Sequence, residues 1–247
     1  MKKPESIKEL RKICQPEYKE VKINPYYRIY RRFFRIFSIY ITKWLLYFNL
    51  SANLISVMAI IFGLMGSLSF YYGKFLLGAL IMQLWFLGDT LDGELARYYY
   101  HKHKQKNYLI KGEFLDLNSH HLVHPLVFIG LSLGLYNLTN NINMVYLGIA
   151  VLFALLFNEL IDLNKIKVLF YEGINVKTKL NIDKIKEKRN LLKKLRVIYT
   201  FPSIINIILI ATIFDRIYWV FLFYGFTFPI IVLLKLLHNL MMPENKF

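Results

Sequence analysis

The sequence predicts an all-α, polytopic membrane protein: six transmembrane helices, preceded by an amphipathic helix lying at the membrane surface. Three observations lead there. The 247-residue chain is 56% apolar with a mean hydropathy of +0.37, too oily for an ordinary soluble domain. Its apolar residues come in long continuous runs rather than in alternation, which suits helices and not a β-barrel. Its net charge of +16 is gathered in a few segments, chiefly the first 43 residues and 163–196. Membrane proteins collect cations in this way on cytoplasmic loops, so the basicity does not indicate a nucleic-acid partner.

Residues 1–23 read as a cytoplasmic arm. No apolar core follows the first cations, so the arm is not a signal peptide, and the single cysteine, Cys14, excludes a disulfide framework. Residues 24–48 mix Arg28, Arg31, Arg32 and Arg35 with Tyr, Phe and Ile at helical spacing. Four cations disfavour a span, and an interfacial helix anchored by its aromatics fits better. The membrane domain follows at 49–240, with a tail at 241–247. Its six apolar windows are 51–72, 75–97, 114–136, 143–163, 196–214 and 217–239. About 20 residues of helix cross a bilayer, and no irregular backbone can face lipid. The basic loops 98–111 and 164–195 fall on the same side as the basic N-terminal arm, while YNLTNNIN carries no cation. Both termini are therefore expected in the cytoplasm of a cell-membrane protein. The run 183–196 reads as a solvated helix near anionic headgroups.

Carboxylates break into two of these windows. Asp89 and Asp92 lie three residues apart near the end of the second, so they share a helix face. Ala96 keeps that face narrow, Gly93 admits a close approach to the backbone, and Arg97 marks the membrane boundary. Past the loop, Gly112 precedes a helix on which Asp116 and His120 are four residues apart. Neighbouring helices can point Asp89, Asp92, Asp116 and His120 into one pocket. An oxygen-rich cluster suits Mg²⁺ or Mn²⁺, which commonly bridge a diphosphate. Ionisable residues within spans are functional candidates in their own right.

At these residues the sequence resembles the CDP-alcohol phosphotransferase family, whose signature is D-x2-D-G-x2-A-R, a spacer, then G-x3-D-x3-D. Asp89-Thr-Leu-Asp92-Gly93-Glu-Leu-Ala96-Arg97 matches the first half, and Gly112-Glu-Phe-Leu-Asp116-Leu-Asn-Ser-His120 matches the second except at its last position. Ser-Ala-Asn53-Leu-Ile-Ser is similar to a T-P-N-x-x-T found at the start of helix one in many members. The fourteen residues between Arg97 and Gly112 exceed the family's usual spacer, which a longer second helix or a bulged loop would absorb.

The resemblance implies transfer of a phospho-alcohol group from a CDP-linked donor to an alcohol or phospho-alcohol acceptor, with release of CMP. It makes Asp89, Asp92 and Asp116 ligands of Mg²⁺ or Mn²⁺ on the donor diphosphate. Asn53, Asp92, Gly93, Ala96, Arg97 and Gly112 would line the CDP pocket. His120 stands where the family has its general base, and it could serve as base or as ligand; imidazole is a fair base near neutral pH. The resemblance also implies a homodimer among membrane lipids, with the active site on the cytoplasmic face. The favoured product is a phospholipid or a lipid-linked phospho-alcohol. The rivals are an enzyme that uses a soluble CDP-polyol for surface glycans, and a non-catalytic cation- or nucleotide-binding membrane protein. Asn158, Glu159 and Asp162 are candidates to line the cavity or to cap a helix. Lys165, Lys167 and Arg196 flank its mouth. Glu113 and His124 are reserve candidates for ligand or base, whereas His101, His103 and His121 point to solvent or elsewhere.

Overall fold

The computed structural model describes residues 5–16, 25–104, 107–171 and 196–241. All regular structure among them is helical: α1 (Ile7–Cys14), α2 (Pro25–Tyr47), α3 (Ala52–Tyr71), α4 (Phe75–His103), α5 (Asn107–Thr139), α6 (Asn143–Tyr171), α7 (Phe201–Ile213) and α8 (Ile217–Leu240), with a 3₁₀ turn at Arg196–Tyr199. The chain is an all-α polytopic membrane protein.

Five helices, α3, α4, α5, α6 and α8, are long and apolar enough to cross a membrane. The window 196–214, expected as a sixth span, holds a 3₁₀ turn followed by a shorter apolar helix, Phe201–Ile213. The 3₁₀ turn occupies its first residues, Thr200 adopts an extended N-cap conformation, and Pro202 in the first turn fixes the start of α7. The 13 residues that remain rise only about 20 Å, short of a hydrocarbon core of about 30 Å. Phe201, Ile204, Ile205 and Ile208 bury the inner face of α7 in the bundle.

Close approach of α3 to its neighbours sets the bundle. Gly88 of α4 lies against Ala59 of α3 so tightly that a Cβ there would come within 2.8 Å of the alanine methyl. On the other flank, Gly130 and Gly134 of α5 rest on the carbonyls of Ser67 and Phe70, leaving no room for any side chain. Small residues at helix contacts are how membrane bundles gain dispersion energy when lipid supplies no hydrophobic drive. Trp85, Phe128, Phe221 and Tyr224 fill the centre.

The expected boundaries between helices two and three shift. The segment 98–111, expected as a loop, is mostly helix: α4 continues to His103 and α5 starts at Asn107, with Lys104 in the left-handed region closing α4. The long spacer is therefore absorbed as extra turns on both helices. Likewise α6 runs on to Tyr171, so Lys165 and Lys167 are helical. The remainder of the expected basic loop, the arm residues 17–24 and the tail beyond Met241 lie outside the described residues.

Within the expected arm, α1 is an ordered helix with a reciprocal capping box: the Glu9 amide donates to Ser6 Oγ and the Ser6 amide to Glu9 Oε2. These bonds hold the Glu9 carboxyl below its ordinary range. Leu10 and Cys14 are fully buried against α2 and α4. Burial pushes the Cys14 thiol up to about 12. On α2, Phe33, Ile36, Phe37, Tyr40, Trp44 and Tyr47 form an exposed stripe, while Ser38, Ile39 and Thr42 turn inward.

Candidate active site

Helices α4 and α5 run antiparallel, and one register aligns their functional stripes. On α5, Gly112, Asp116, His120 and His124 repeat every four residues; on α4, Trp85, Asp89, Gly93 and Ala96 do so over most of their length. At one end Gly112 faces Ala96, with a Cβ at Gly112 falling at ordinary contact, 3.5 Å from the alanine methyl. In the middle, His120 reaches Asp89. At the far end the Trp85 ring stands edge-on to His120 and His124, at centroid distances of 5.2 and 5.7 Å.

The centre is a three-residue cluster. His120 Nε2 lies 3.1 Å from Asp89 Oδ1 and 3.1 Å from Asp116 Oδ1. One ligand atom from each of the three residues falls within 4.8 Å of the others. All three side chains are partly exposed, so a ligand can reach them. The other ring nitrogen, His120 Nδ1, is 2.7 Å from His124 Nε2, and the His124 ring stacks on Phe201 of α7 at 3.4 Å between centroids. Both nitrogens of His120, expected as base or ligand, are thus engaged.

Asp92 does not join this cluster. Its carboxylate is buried and accepts a 2.6 Å hydrogen bond from Ser56 Oγ of α3. Three residues on a helix turn about 300°, which sets Asp92 about 60° round from Asp89, and the α3 hydroxyl lies on that side. Asn53 is exposed in the first turn of α3, three residues before Ser56. Gly93 carries the Arg97 guanidinium, with a Cβ there falling 3.3 Å from Nη1. Arg97 Nε donates to the Cys14 carbonyl of α1.

Sequence reasoning missed Glu94, inside the motif's variable positions. It is completely buried. Its carboxylate accepts from Ser38 Oγ at 2.6 Å, Thr42 Oγ1 at 2.6 Å and Gln15 Nε2 at 2.7 Å, fastening α1 and α2 to α4. It also missed Lys235 of α8, whose ammonium donates to Asn158 Oδ1 and Asp162 Oδ2, both at 2.7 Å. Asn158 and Asp162 therefore tie α6 to α8, and Glu159 is exposed beside them. Glu113, His101 and His103 are exposed.

Residues 49–158 match the sequence model of the CDP-alcohol phosphatidyltransferase family. Through that stretch, less than half of the chain, the protein is similar to the CDP-alcohol phosphatidyltransferase family. The matched stretch holds α3, α4, α5 and most of α6, and with them both halves of the motif. No curated protein sequence matches the chain. The general reaction of that family is CDP-alcohol phosphotransfer, and its members depend on a divalent metal. The residues fit such an ion: two carboxylate oxygens and an imidazole nitrogen converge from adjacent helices, and all three groups are ordinary ligands of hard or borderline divalent cations.

Proposed function

We propose that this membrane transferase moves a phospho-alcohol group, most simply a phosphatidyl group, from a CDP-linked donor to an acceptor hydroxyl. The convergence of Asp89, Asp116 and His120, one helical turn from Gly93 and about two from Ala96 and Arg97, is the observation that supports this reading. Asp89, Asp116 and His120, with Asp92 beside them, would hold Mg²⁺ or Mn²⁺ against the donor diphosphate. A divalent ion there supplies neutralisation of the charge that builds on the phosphoryl oxygens. Gly93, Ala96 and Gly112 would border the nucleotide, and Arg97 would add a planar cation beside it. The acceptor oxygen forms its bond to phosphorus as the phosphoanhydride bond to the CMP phosphate breaks. The hydroxyl proton passes to a basic atom of the cluster. The bundle positions the two oxygens in line, which is most of what a loose phosphoryl transfer asks of a protein.

The motif occupies the basic side of the bundle, which we place in the cytoplasm, where CDP-linked donors are made; a homodimer in the cell membrane is the proposed assembly. The test is CMP release by purified protein in nanodiscs, with Mg²⁺ or Mn²⁺ and a panel of donors including CDP-diacylglycerol and a soluble CDP-polyol. Release with the lipid donor and a hydroxylated acceptor is the expected outcome. Release only with the polyol donor would move the assignment to surface glycan synthesis. No release, together with no stabilisation by CDP, would overturn it.

A further inference from the structure

Two ligands held at right angles about 2.1 Å from one ion stand about 3.0 Å apart. His120 Nε2 stands 3.1 Å from an oxygen of Asp89 and 3.1 Å from an oxygen of Asp116, the spacing of adjacent ligands around a single cation. The other nitrogen is positioned as a ligating histidine requires. A metal-bound imidazole hands its second N–H to an acceptor, which fixes the tautomer and aims the lone pair. At 2.7 Å from His120 Nδ1, His124 Nε2 is placed to be that acceptor in its Nδ1–H tautomer. His124 is itself fixed, stacked on Phe201 and edge-on to Trp85, so the pair cannot easily swing apart. With the proton on Nδ1 directed to His124, the Nε2 lone pair of His120 points between the two carboxylates.

We propose that His120 is a direct metal ligand through Nε2, oriented by His124, and that this nitrogen moves the site's preference from Mg²⁺ toward Mn²⁺ and later first-row divalent ions. Oxygen ligands suit Mg²⁺, whereas imidazole suits the transition metals, whose affinities rise along the row from Mn²⁺. The inference rests on the reading of Asp89 and Asp116 as metal ligands. It removes His120 from the role of general base, because a nitrogen bonded to a metal has no lone pair for the acceptor proton. That proton then goes to a carboxylate oxygen, as it does in other phosphoryl transfers.

The test is electron spin-echo spectroscopy of tag-free protein loaded with Mn²⁺ in nanodiscs, without nucleotide. Wild type is expected to show nitrogen modulation from a directly bound imidazole. His120→Asp should retain Mn²⁺, lose the modulation and narrow the Mn²⁺-over-Mg²⁺ preference measured by equilibrium dialysis. His124→Phe should keep the modulation but weaken Mn²⁺ binding by about tenfold or more, the usual effect of removing the partner of a ligating histidine. Mn²⁺ bound without nitrogen modulation in wild type, modulation that survives His120→Asp, or no Mn²⁺ binding would each overturn the inference. Nitrogen ligation without CMP release from any donor would leave it standing and sink the transferase reading instead.

Discussion

Glu94→Ala should detach the N-terminal helix from the bundle. The substitution removes the acceptor shared by Gln15, Ser38 and Thr42. Hydrogen bonds to a charged acceptor contribute roughly 1.5–3 kcal/mol each. Part of this is recovered, because Ser38 and Thr42 can turn back to carbonyls of their own helix and Gln15 Nε2 keeps the Arg35 carbonyl at 2.8 Å. A net loss of about 3 kcal/mol remains, equivalent to about a hundredfold rise in the population of the detached state. The chain's one cysteine reports that state directly. Cys14 is fully buried against α4, and its thiol is pushed up to about 12. At neutral pH the docked thiol is therefore held in its unreactive protonated form, against a few per cent thiolate for a free thiol. Maleimide labelling in nanodiscs, followed by mass spectrometry, should therefore run about a hundredfold faster in Glu94→Ala than in wild type. Glu94→Gln keeps one acceptor oxygen and should fall between the two. The KM for the CDP donor should rise with detachment, because the Cys14 carbonyl is a partner of Arg97, while kcat changes less. Equal labelling rates in wild type and Glu94→Ala would refute the latch.

Asp89→Asn should reduce turnover by at least about 10²-fold while the protein elutes and melts as wild type, because charge is lost at constant volume; near-normal activity at saturating Mn²⁺ would remove Asp89 from the metal site. Gly134→Ala drives a methyl into the Phe70 carbonyl of α3, so a loss of about 1–3 kcal/mol is expected in thermal unfolding, and an unchanged midpoint would show that the two helices part freely. A small tag inserted at 104–106 should be reachable only from the cytoplasm and one at 140–143 only from outside; reversed accessibility would separate the site from cytoplasmic nucleotide.

The membrane helices were legible because each is a long apolar run, and the site because its residues repeat at helical spacing. Asp89, Asp116 and His120 come together as that spacing requires. What escaped depends on partners distant in sequence. Glu94 occupies a variable motif position and looks like a surface acid until Ser38, Thr42 and Gln15 arrive from other helices. The turn of Asp92 toward Ser56 has the same origin, since nothing in Asp89-Thr-Leu-Asp92 says which neighbour supplies a hydroxyl. Lys235 sits alone among leucines, and only the packing of α8 on α6 gives it Asn158 and Asp162. α1 did leave a local trace, Ser6-Ile-Lys-Glu9, the spacing of a capping box, but eight residues rich in charge carry too weak an apolar pattern to demand a helix. The shortening of α7 was written in Pro202, whose ring fixes a helix start.

The long spacer between the motif's halves and the docking of α1 have one structural cause. Past Arg97, α4 continues for six residues to His103, more than one and a half turns. Tyr98 on this extension is buried and donates its hydroxyl to Glu5 at 2.6 Å. Tyr100 and His101 line a cavity of about 560 Å³ together with Glu9, Lys12, Ile13 and Pro16 around α1, and Arg97 forms part of the same wall. The extra turns thus give α1 something to rest on, since an eight-residue helix could not persist alone. Once there, α1 reaches back to the motif, with the Cys14 carbonyl on Arg97 Nε and the guanidinium laid over Gly93. A side chain at position 93 or a shorter α4 would disturb the same cation by different routes, the first by displacing it and the second by removing the helix that orients it.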